Sequence, residues 1–115
     1  MDSIITYKAF IMTFPIIIKM CKNLNEEYEV GEGDDKILLN STLNIYYNFL
    51  IKSKDLMYDD LTVIGLTCYW LSFKFHMDET FDIFSKELAP CKWRKLIFFE
   101  GKIMKTFHYE LCQYI

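Results

Sequence analysis

The chain has 115 residues, enough for one domain that buries roughly two thirds of its unfolded surface, so a two-domain enzyme is excluded. Hydrophobic residues make up 52% and aromatics 17%, with only 4 Gly and 2 Pro, which excludes disordered, collagen-like and low-complexity classes. Thirteen basic against sixteen acidic residues leave a net charge of −3, without the basic excess that phosphate neutralisation requires, so no nucleic-acid partner is expected.

Ile4 to Leu24 reads as a helix with a broad apolar surface, kinked or split at Pro15, which lacks a backbone donor. Its longest uncharged run, Ala9 to Ile18, lies between Lys8 and Lys19 and is about half the length that spans a bilayer, so no membrane contact is expected. Asp2 stands where a secretory leader is basic, and no small-residue cleavage pattern follows. Asn25 to Asp35 gathers Glu26, Glu27, Glu29, Glu32, Asp34 and Asp35 around Gly31 and Gly33, the composition of a solvated acidic loop.

Ser41 is placed to cap a second helix, with Leu43, Tyr46, Tyr47 and Leu50 inward and Asn44, Asn48 and Lys52 outward. Asp59 and Asp60 then open a third helix on which Lys74 is the only charge between Leu61 and Phe75. A helix apolar nearly all round belongs at the centre of a bundle, with Ile64, Cys68 and Leu71 buried. Gly65 within it suits the close approach of a neighbouring helix. A short helix from about Asp78 to Leu88 follows, and Pro90 suits the first turn of a last helix reaching about Tyr109. The expectation is an all-α fold of five helices around the central one, residues 1–115 forming a single domain.

Cys21, Cys68, Cys91 and Cys112 contain no CxxC pair, and His108 with Cys112 lacks a second ligand pair. Neither a metal nor another cofactor is expected, and a reduced intracellular compartment, nuclear or cytoplasmic, suits these thiols. His76 and His108 have no nucleophile or paired carboxylate at a suggestive spacing, so no catalytic residue is assigned and no enzyme is expected. Twelve Lys against one Arg, with abundant Ile, Tyr, Phe and Asn, is the bias of AT-rich codons, as in a large DNA virus or an AT-rich unicellular eukaryote.

On the last helix the apolar stripe Trp93, Leu96, Ile97, Ile103, Met104 and Phe107 is interrupted at Glu100. A carboxylate there needs a partner, because burying it alone costs several kcal/mol, and Lys74 is the obvious candidate within the fold. Both charges also fall inside a wider pattern. The stretches Asn40-Ser41-Thr42-Leu43, Tyr46-Tyr47-Asn48-Phe49-Leu50, Leu61 to Cys68 and Leu71-Ser72-Phe73-Lys74-Phe75 resemble the second and third helices of a cyclin box. Tyr7-Lys8-Ala9-Phe10-Ile11 followed by Phe14 resembles its opening helix. Glu100, Ile103-Met104-Lys105 and Phe107 to Leu111 resemble its last.

The resemblance implies a five-helix cyclin-box bundle with no chemistry of its own. It implies a cyclin-dependent kinase as partner, contacted through Lys74 and Glu100, whose regulatory helix is held inward. It also implies a shallow groove for short substrate motifs at Tyr7, Phe10, Ile11, Phe14, Leu61 and Thr62. The chain departs from the family in ending after one box, in about fourteen extra residues between Leu24 and Asn40, in Pro15, and in His76-Met77 where acidic residues are usual. The rival expectation is a cyclin-box scaffold without kinase contact that sequesters another host or cellular protein.

Overall fold

The computed structural model describes residues 3–53, 56–77, 90–108, 110 and 111. Among them the chain forms four α-helices: α1 (Ser3–Glu27), α2 (Glu32–Lys52), α3 (Leu61–Met77) and α4 (Pro90–Thr106). This corrects the expected five-helix bundle to an all-α arrangement of four. The short helix expected over Asp78 to Leu88 lies outside the described residues.

The acidic loop is corrected as well, because helix occupies most of it. α1 continues through Glu27 and α2 begins at Glu32, leaving four residues to join them. The turn ends α1 without glycine. Glu29 takes a left-handed conformation at φ 55°, the Val30 N–H donates to the Asn25 carbonyl at 2.8 Å, and the Glu29 N–H donates to that of Glu26 at 3.2 Å. These are the paired bonds of a Schellman stop. α2 starts behind Gly31 with no side-chain cap; Glu32, Asp34 and Asp35 put three carboxylates in its first turn, where the helix dipole favours them. Ser41 is therefore mid-helix rather than a cap, and its Oγ lies 3.0 Å from His76 Nε2.

Pro15 neither splits nor ends α1. The carbonyl it leaves without a helical donor belongs to Ile11, and both residues are exposed, so water can reach that side of the helix. Residues Ala9, Thr13, Ile17 and Cys21 form the buried line of α1, and Leu38, Thr42, Ile45, Tyr46, Phe49 and Leu50 that of α2. Tyr47 turns out to be 36% exposed rather than inward.

α3 is central and packs on the other three helices. Ile64, Cys68 and Leu71 are buried as expected, and from Thr67 to Phe73 every residue is buried. Thr67 and Ser72 escape a desolvation cost because their hydroxyls donate to the carbonyls of Val63 and Cys68, at 2.7 and 2.9 Å. Gly65 meets α1: a Cβ built on it falls 2.1 Å from Ile17 Cδ1, so the Ile17 side chain occupies the space that any other residue would need. Two buried polar links tie the helices together. Thr13 donates to the Ala9 carbonyl at 2.7 Å, which leaves its Oγ1 to accept from the Tyr46 hydroxyl at 2.6 Å. Tyr69 donates to Asn25 Oδ1 at 2.6 Å while Asn25 Nδ2 donates to the Asp35 carbonyl at 3.3 Å, joining α3, α1 and α2.

Burial gives this core an alkaline limit. It pushes the Cys21 thiol up from 9.0 to about 12, against an opposing hydrogen bond with Thr42, and the Tyr46 hydroxyl from 10.0 to about 12. Cys68 and Tyr69 are raised by burial too. The native state thus holds these protons more tightly than the unfolded chain does. Their contribution is complete below about pH 9 and is lost as pH rises toward 12, at up to about 1.4 kcal/mol per pH unit for each group titrating in the unfolded state. Urea midpoints measured from pH 7.5 to 10.5 are expected to fall steeply above pH 9; a flat profile contradicts the burial of these groups.

Candidate functional site

The end of α3 and the middle of α4 bring Lys74 and Glu100 together. Lys74 Nζ stands 3.4 Å from Glu100 Oε2, with side chains 35% and 22% exposed, so the pair sits at the boundary of core and solvent. Lys74 occupies the last turn of α3, where a cation also favours the helix dipole.

A third residue completes the arrangement. The indole N–H of Trp70, which is wholly buried, donates to the same Glu100 oxygen, and Lys74 Nζ lies 5.0 Å from the Trp70 ring centroid. Trp70 and Lys74 are one helical turn apart, so both reach Glu100 from the same face of α3. Trp93 packs edge-on against that ring, with centroids 6.1 Å apart. Glu100 is thereby fixed by the protein itself: a buried N–H on one side and a half-exposed ammonium on the other.

Beside the pair is a cavity of about 210 Å³ lined by Leu71, Lys74, Phe75, Glu100 and Met104. Phe75 is 54% exposed, while Leu71 is buried at its floor. The site therefore offers a small apolar depression with one charge pair at its rim. Such a surface accepts an apolar side chain, with the charge pair placed to hydrogen-bond polar groups that flank it.

Sequence reasoning found Lys74 and Glu100 but missed Trp70, Phe75 and Met104 as their surroundings. The available signal was Trp70 itself, since a buried indole N–H requires an acceptor and Glu100 is the polar interruption on the facing helix. The stripe on α4 also rotates slightly from expectation: Leu96, Phe99, Ile103 and Phe107 are buried, and Ile97 is 39% exposed.

The six groove residues are divided by the structure. Leu61 belongs to the core, at 1% exposure. Phe10 and Phe14 are half-buried with ring centroids 5.2 Å apart, and Phe10 packs on Tyr47 of α2 at 4.8 Å. Ile11 and Thr62 are exposed, and the side chain of Tyr7 lies outside those described.

His76 is exposed and bonded to Ser41; His108 is exposed and adopts a left-handed conformation, at φ 53°, behind α4. Among the described residues no group of three or more His, Cys, Asp or Glu side chains could hold a metal ion. Nor, among them, is any helix long and apolar enough to cross a membrane.

No family model, no curated protein and no solved structure matches this chain.

Proposed function

We propose that the chain is a cyclin-like regulatory subunit that binds a cyclin-dependent kinase through the surface carrying Lys74 and Glu100. The observation that carries this reading is the convergence of those two residues from α3 and α4 at the rim of an apolar depression. The sequence stretches that resemble a cyclin box supply the kinase as partner. An apolar side chain of the kinase's regulatory helix fills the space between Leu71, Phe75 and Met104, and the charge pair fixes that helix in register. The chain contributes binding energy rather than bond chemistry and works inside the cell, in nucleus or cytoplasm.

The test is the affinity of the purified chain for a cyclin-dependent kinase, read by biolayer interferometry. Lys74→Ala and Glu100→Gln are the informative variants, because glutamine still accepts the Trp70 N–H. Each is expected to weaken binding at least about tenfold, or 1.4 kcal/mol, with the fold retained. Absence of kinase binding, or binding unchanged by both variants, defeats the reading and favours a scaffold that sequesters some other protein.

A further inference from the structure

The outward face of α4 has a composition that the fold itself does not require. At 100° per residue, Arg94, Phe98, Gly101 and Lys105 fall in one sector, with Ile97 and Lys102 on its two flanks. All six are exposed, Phe98 at 63% and Ile97 at 39%. Lys102 Nζ lies 5.8 Å from the Phe98 ring centroid, and Lys95 is paired with Asp60 at 3.1 Å. Glu100, the one carboxylate of α4, turns to the other side, where Trp70 and Lys74 hold it. A chain of net charge −3 thus concentrates cations around two exposed apolar side chains.

Gly101 sharpens the point. Glycine is among the costliest residues in a helix interior, and at Gly65 the packing of Ile17 accounts for it. At Gly101 a Cβ would meet nothing within 4 Å, so no contact among the described residues calls for its absence. Its position between Phe98 and Lys105 lets an external backbone come closer to α4 than any other residue would allow.

We propose that this face docks an acidic helix of a partner protein, which crosses α4 at Gly101. The partner's carboxylates meet Arg94, Lys102 and Lys105, and its small or apolar residues pack on Ile97, Phe98 and the bare Gly101 backbone. A lipid surface matches the cations equally well but draws no benefit from a missing Cβ, whereas helix-to-helix approach does. The surface shares α4 with the kinase reading but uses neither Lys74 nor Glu100, so the two stand or fall separately.

The probe is a fluorescein-labelled helical peptide of about 18 residues built from Glu, Ala and Leu, with an Ala–Leu stripe bordered by Glu, titrated with the intact protein by fluorescence anisotropy. Binding is expected, weakening at least about tenfold between about 50 and 300 mM salt, while the counterpart with Lys in place of Glu stays unbound. Gly101→Leu is expected to raise the melting temperature, leucine being the better helix former, and yet to weaken binding at least about tenfold. Lys74→Ala leaves it unchanged. Failure of the wild-type protein to bind, equal binding of both peptides, or undiminished binding by Gly101→Leu overturns the proposal. Capture of phosphatidylserine vesicles to the same extent by wild type and Gly101→Leu, without peptide binding, assigns the face to lipid and overturns it as well.

Discussion

Gly65→Ala lowers stability by about 2 kcal/mol, although alanine is the better helix former by about 1 kcal/mol. The added methyl lands 2.1 Å from Ile17 Cδ1 and 3.1 Å from its Cγ1, and Ile17 is wholly buried, so the clashing atom has little room to rotate away. Separating α1 from α3 by even a few tenths of an ångström loosens close-packed contacts along both helices. Ile17→Val removes Cδ1, at a cost of about 1 kcal/mol for the lost methyl. In that background Gly65→Ala is expected to become neutral or stabilising. The double-mutant cycle, read from chemical denaturation, therefore shows a coupling of about 2 kcal/mol. Additive effects mean that the helices do not meet at this point.

Glu100→Ala is the second large effect, expected to cost about 2 kcal/mol, and its size comes from Trp70 rather than from Lys74. Removing the carboxylate takes away the acceptor that the buried indole N–H uses, and with it the bond that offsets its desolvation. Lys74→Ala, in contrast, costs at most about 1 kcal/mol, since its side chain is 35% exposed and solvent screens the pair. Glu100→Gln keeps an acceptor for Trp70 and falls near the lysine variant. Equal losses for Lys74→Ala and Glu100→Ala would instead make the ammonium the main support of Glu100.

The central part of α3 was legible. A stretch from Leu61 to Phe75 whose only charge is Lys74 has too few polar residues to face water, and Thr67 to Phe73 are buried; Lys74 was also the natural partner for Glu100, which interrupts the apolar stripe of the last helix. The junction of α1 and α2 was not legible, for a definite reason. Six carboxylates among two glycines have the composition of a loop, but three of those carboxylates sit in the first turn of α2, where the helix dipole favours negative charge. The true stop is Glu29, a residue seldom left-handed, so no glycine marked it. Likewise Ser41 has the chemistry of a cap, and its role in binding His76 depends on a contact 35 residues away. The groove residues came from the resemblance and lie on α1 and α3, and nothing in their sequence told core from surface: Leu61 is buried and Ile11 is exposed.

The side chain of Asn25 has a consequence for how the protein breathes. A highly charged, exposed helical hairpin tip is the ordinary place for a fold to open first. Here that tip is moored from beneath, since Asn25 accepts from Tyr69 on the central helix and donates to the Asp35 backbone across the turn. Parting α1 from α2 at the tip therefore breaks the Asn25–Asp35 bond, and drawing α1 away from the central helix breaks the Tyr69 bond as well. The acidic tip is thus tied to the central helix through one side chain, and its amides are expected to exchange more slowly than their exposure alone would set.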